Sequence, residues 1–74
     1  MKTELSGILR SIDLDRYTGT IHRLTGSLLD EHTERIEIIF PARCSAYFAN
    51  HLNCYVRVHG EWLEDGTFNV LRWV

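Results

Sequence analysis

The sequence predicts an all-β domain with one short helix, its five strands forming a small closed or partly open barrel. Three observations carry that prediction. Ile36, Ile38 and Phe40 alternate with Arg35, Glu37 and Ile39, the period-2 pattern of a half-buried strand. After Pro41 the period changes: Cys44, Phe48 and Leu52 stand four apart, one stripe of a helix. Asp65-Gly66 then marks a hairpin, because Asp-Gly tolerates positive φ. The chain has 74 residues, room for one domain taken as 1–74, and 45% hydrophobic content, ordinary for a globular protein.

The elements follow in order. Thr3 to Leu14 reads as a first strand, with Leu5, Leu9 and Ile12 as apolar positions. Gly7 interrupts it, and an isolated glycine in a strand marks a bulge or tight bend. Asp13-Leu14-Asp15-Arg16-Tyr17 supplies turn residues. A second strand runs from Gly19 to Leu24 or slightly beyond. Gly26-Ser27 and Leu29 to Thr33 form a polar connection to the third strand, Glu34 to Phe40. The helix is expected over Ala42 to Leu52, with Pro41 or Ser45 near its start and Asn53 as a left-handed cap. In the fourth strand Val56, Val58, Gly60 and Trp62 share one parity, Tyr55, Arg57, His59 and Glu61 the other. In the fifth, Phe68 and Val70 give way to Leu71 and Trp73 as the apolar set, a change of parity that predicts a bulge. The expected core is Ile36, Ile38, Phe40, Val56, Val58, Phe48 and Leu52, with at least one of Trp62 and Trp73.

The order is therefore strand, strand, strand, helix, strand, strand. A five-stranded antiparallel sheet exposes its edges unless it curls shut, and a barrel solves that problem. This order, with Leu5-x-Gly7-x-Leu9 in the first strand and Val56-x-Val58-x-Gly60 in the fourth, resembles the OB-fold (oligonucleotide/oligosaccharide-binding) superfamily over nearly the whole chain. An SH3-like barrel fits the same strands if 42–52 is a loop.

Charge and motifs bound the function. Eight Lys plus Arg against ten Asp plus Glu give −2, which argues against a basic nucleic-acid coat or a polybasic membrane binder. Seven of the eight cations are arginine, the residue suited to bidentate phosphate or carboxylate contacts. No Gly-rich phosphate loop, nucleophile elbow or His-Glu-x-x-His is present, so the expectation is a non-catalytic module with no cofactor. Cys44, His51, Cys54 and His59 have six, two and four residues between them, which does not match zinc-knuckle spacing. Both cysteines are expected as reduced, buried thiols and no metal is expected. No apolar run approaches the roughly 20 residues that cross a bilayer, and Met1 to Gly7 has no stretch of signal-peptide character. The expected setting is cytoplasmic, with no membrane partner.

What the OB-fold resemblance implies is binding of single-stranded DNA or RNA across strands two and three and their flanking loops. The residues at those places are Arg16 and Tyr17 in the first loop, His22 and Arg23 on the second strand and Arg35 on the third. Cations there would track phosphates and Tyr17 would stack a base. Asp13, Asp15, Glu64 and Asp65 oppose that reading by repelling phosphate. The rival expectation is a protein-interaction adaptor or inhibitor-like module docking through strand four and the acidic loops. Its residues are Tyr55, Arg57, His59, Ile39 and Trp62, drawn from types enriched at interface hot spots. A free strand edge also offers a route to a homo-oligomer.

Overall fold

The computed structural model describes residues 3–25 and 32–74, and only the backbone at 24 and 25. The strands are β1 (Thr3–Asp13), β2 (Thr18–Thr25), β3 (His32–Ile39), β4 (Tyr55–Trp62) and β5 (Phe68–Trp73), with helix α1 (Ser45–Ala49) between β3 and β4. They form a closed barrel in the order β1-β2-β3-β5-β4. The chain order is the expected one, and β5 lies between β3 and β4. The expected connection over Gly26 to Glu31 lies outside the described residues, while His32 and Thr33 already belong to β3.

β1 is the axis of the structure. Its residues pair antiparallel with β2 from Ile8 to Asp13 and with β4 from Thr3 to Ile8. β2 and β3 pair in unbroken antiparallel register along their whole length, from Thr18↔Ile39 to Thr25↔His32. The seam that closes the barrel is much shorter. β3 and β5 are parallel and pair only at Ile38↔Phe68 and Ile39↔Asn69.

Gly7 does not bulge, contrary to expectation. It stays in the β1–β4 ladder opposite Val56. The irregularity falls between Leu9 and Ser11, so Arg10 is the extra residue. Gly7 serves a close approach instead: a Cβ there would lie 2.5 Å from the His22 carbonyl oxygen and 2.8 Å from Ile21 Cγ2. The bulge expected from the change of parity in β5 is found. The β4–β5 register shifts between His59 and Gly60, which leaves Leu71 without an opposite residue. Gly66 turns the β4–β5 hairpin at φ 88, and the Asp65 carboxylate accepts the Thr67 amide across it at 2.9 Å.

The core comprises Leu5, Leu9, Ile21, Ile36, Ile38, Phe40, Cys44, Phe48, Val56, Val58, Phe68 and Val70. Fully burying a side chain of the Val, Leu, Ile or Phe type contributes about 1.5–3 kcal/mol. Three corrections concern its composition. The helix is shorter than its stripe predicted: a 3-10 turn over Ala42–Cys44 leads into α1, which ends at Ala49. Leu52 therefore lies beyond the helix and is exposed, while Cys44 and Phe48 are fully buried. Neither tryptophan is core. Trp62 and Trp73 are each 42% exposed, because Phe40, Phe48 and Phe68 already fill the barrel. Cys54 is exposed, against the expectation that both thiols are buried, and both are free. Burial pushes the Cys44 thiol pKa up, so Cys44 packs as a small apolar group. Asn53 does adopt the left-handed conformation, φ 66, and its amide donates to the Leu9 carbonyl at 2.6 Å. Leu14 falls outside β1 and is exposed.

The two ends of the barrel differ. At one, Phe48 of α1 packs on Phe40 with ring centres 4.6 Å apart, and Tyr47 stacks between His51 (4.2 Å) and Trp73 (4.9 Å). At the other, the Arg23 guanidinium lies 5.9 Å from the Trp62 ring centre and reaches Glu34 at 3.2 Å. Among the described residues, no helix is long and apolar enough to cross a membrane.

Candidate functional site

Cross-strand register builds one outward row over four strands. Tyr55 of β4 faces Ile8 of β1, Ile8 faces His22 of β2, and His22 faces Arg35 of β3. Side chains directly opposite in a sheet stand on the same face, about 5 Å apart. Tyr55 is the most exposed aromatic of the described residues, at 62%.

Two clefts open along this row. The first, about 350 Å³, is lined by Ser6, Gly7, Ile8, His22, Arg23 and Tyr55. The second, about 340 Å³, is lined by Ile8, Arg10, His22, Arg23 and Thr33. They share Ile8, His22 and Arg23, so they form one groove. Gly7 lines the first cleft, and its missing side chain lets β1 approach the β2 backbone closely. The Arg10 bulge places an exposed cation beside it, and among the described residues no hydrogen bond or ion pair engages Arg10.

The neighbouring cations are already paired, Arg35 in the row and Arg23 on the opposite parity of β2. Arg23 meets Glu34 at 3.2 Å, and Arg35 meets Glu37 at 3.2 Å. The Arg35–Glu37 pair is well exposed, and such pairs are worth about 0–1 kcal/mol, weak enough for a polyanion to displace, whereas Arg23–Glu34 is partly buried. Arg16 and Tyr17 lie elsewhere. Tyr17 sits in the β1–β2 turn at φ 56, with its ring edge-on to Phe40 at 6.3 Å. The Asp13 carboxylate holds that turn by accepting the Asp15 and Arg16 amides, at 3.0 and 3.2 Å. From Thr18 to His22 is roughly 13 Å of strand, so the turn stands off the groove. The structure thus sets His22 opposite Arg35 in the outward row, places Arg23 with His22 in the lining of the clefts, and leaves Arg16 and Tyr17 apart from them.

The residues of the rival reading also separate. Tyr55 belongs to the groove. Arg57 and His59 bind Glu4 instead, at 2.8 and 3.3 Å, which fastens β4 to the start of β1. Hydrogen bonds from Arg57 and then His59 hold the Glu4 carboxyl below its ordinary pKa. Arg72 approaches His59 at 3.4 Å from β5. Ile39 is half-buried and lines a third cleft of about 230 Å³ at the β3–β5 seam, with Phe40, Pro41, Arg43, Val70 and Leu71 among its neighbours. Arg43 donates to the Leu71 carbonyl beside that cleft. Trp62 stands at the β4–β5 hairpin, edge-on to Phe68 at 5.0 Å.

Sequence reasoning missed Arg10, Ile8 and Ser6 as site residues and placed Tyr55 in the other reading. Arg10 gave no signal, because its exposure beside the groove depends on a bulge that no glycine or proline marks. Among the described residues, no group of three or more His, Cys, Asp or Glu could hold a metal ion.

No family model matches the chain, and no curated protein matches it in sequence. The reading of the site therefore rests on its own geometry.

Proposed function

We propose that this chain is a non-catalytic binding module for single-stranded nucleic acid. The observation that carries the reading is the groove along the Tyr55–Ile8–His22–Arg35 row, with Arg10 beside it. Single strands are held by an aromatic face for a base and cations for the backbone. Tyr55 supplies the face, Ile8 an apolar floor, and Arg10 with Arg35 the phosphate contacts. The small barrel with a helix between β3 and β4 is compatible with an OB-like fold, whose members bind such strands. In this reading Arg16 and Tyr17 do not touch the bases.

The test is fluorescence anisotropy of a labelled mixed-sequence single strand at about 50 and about 200 mM salt. For the two phosphate contacts, at Arg10 and Arg35, affinity should fall roughly sevenfold between the two. Absence of binding at either salt overturns the reading.

A second reading is favoured by one feature. Trp62 and Leu63 are exposed on the β4–β5 hairpin beside Glu61, Glu64 and Asp65, an apolar spot ringed by acids. That spot suits a protein partner with a basic rim, and a pull-down lost in Trp62→Ala but kept in Tyr55→Ala would select it.

A further inference from the structure

Among the described residues, no carboxylate lines either cleft of the groove. His22 lines both, and of the lining residues it alone is of a type that ordinarily changes charge between pH 5 and 8. Its surroundings follow strand by strand. On β1 it faces Ile8, and Arg10 lines the second cleft with it. On β3 it faces Arg35, with Glu37 two residues along on the same face and held by Arg35 at 3.2 Å. From β4 comes the Tyr55 phenol. On β2 itself Arg23 follows, and its carboxylate partner is Glu34 at 3.2 Å. Both nearby carboxylates are thus engaged by arginines. The His22 ring is half-buried, and among the described residues no hydrogen bond or ion pair engages it.

We infer that protonated His22 is a third phosphate contact of the groove, so that single strands bind more tightly as pH falls through the ordinary histidine range. The inference rests on the nucleic-acid reading and adds its regulation. A proton on His22 stands opposite the Arg35 charge, on residues whose Cβ atoms are about 5 Å apart. Like charges this close disfavour the charged ring, and a phosphate bound between them favours it. Proton and strand therefore help each other to bind, each by the same factor. The ring's titration moves to higher pH in the complex. The added affinity is present in acid and is lost as pH rises through that raised value.

The test is anisotropy of the labelled mixed-sequence single strand at about pH 5.5 and about pH 8, a window in which histidine titrates and ordinary carboxylates stay ionised. At low salt the unaltered protein should bind roughly tenfold more tightly at the lower pH, the worth of one charge-assisted hydrogen bond. Between about 50 and about 200 mM salt its affinity should fall roughly 18-fold at the lower pH, for three contacts, and roughly sevenfold at the higher, for two. His32, His51 and His59 gain charge over the same range and add to the field of the whole molecule. His22→Gln keeps those three and so measures their share. It should lose most of the gain in acid and show the same salt response at both pH values. His22→Lys, charged at both, should bind more tightly than the unaltered protein at the higher pH. Thermal melts at each pH check that the variants stay folded. Nuclear magnetic resonance of the His22 ring needs no variant: its titration should move to higher pH when the strand is added. Binding that is equal at the two pH values, or a gain of the same size in His22→Gln, overturns the inference and leaves the nucleic-acid reading standing. Absence of binding at either pH overturns both.

Discussion

The wall formed by β4, β1, β2 and β3 and the seam between β3 and β5 are built on different terms. Long antiparallel ladders hold the wall, and β1 pairs on both of its edges. Two parallel residue pairs hold the seam, with Arg43 reaching across to the Leu71 carbonyl beside them. The wall fixes register over four strands, so side chains far apart in sequence stand in one row. Among the described residues, the seam pairs β3 only at Ile38 and Ile39. The difference teaches where the groove belongs: a shaped groove across several strands needs the wall's fixed register, which two residue pairs at a seam do not provide.

The largest expected effect breaks the wall. Gly7→Val puts a Cβ where the His22 carbonyl already stands, and backbone cannot swing aside as a side chain can. It should cost about 1–3 kcal/mol or more, as overpacking does. Arg43→Ala at the seam should cost about 1 kcal/mol, the worth of one exposed hydrogen bond. Urea unfolding of the two variants ranks them, and an equal or reversed order would contradict the contrast.

A smaller effect sharpens it. Glu4 of β1 links to neighbouring β4 through Arg57 and His59, and its pKa is lowered in the fold. A lowered carboxyl pKa contributes stability above the usual glutamate range, and the contribution is lost as pH falls through the lowered value. Glu4→Gln should therefore melt below the unaltered protein at neutral pH, and the gap should close in acid. A gap of the same size at every pH would remove the ion pairs from the account.

Much of this architecture was legible in the sequence, because alternation is a local signal. Ile36, Ile38 and Phe40 announced β3, Val56 and Val58 announced β4, and the parity change in β5 announced its bulge. The end of α1 was not legible. Leu52 continues the helical stripe, but the chain has to leave the helix so that Cys54 and Asn53 can bond to Leu9. The tryptophans misled for a related reason: large side chains read as core, yet three phenylalanines already occupy it. The groove was legible only in part. His22, Arg23 and Arg35 stand on neighbouring strands, whereas Tyr55 meets Ile8 through a pairing between residues far apart in the chain. No local pattern encodes that register.

The most direct test of the central claim compares two tyrosines. Tyr55 stands in the row on the wall, and Tyr17 lies in the turn away from it. Anisotropy of a labelled single strand should be measured with the unaltered protein, Tyr55→Ala and Tyr17→Ala at one low salt concentration. The account predicts a loss of about 1–3 kcal/mol of binding for Tyr55→Ala, the worth of one stacked base, and almost none for Tyr17→Ala. Unchanged affinity in Tyr55→Ala, or the loss falling on Tyr17→Ala instead, would contradict it.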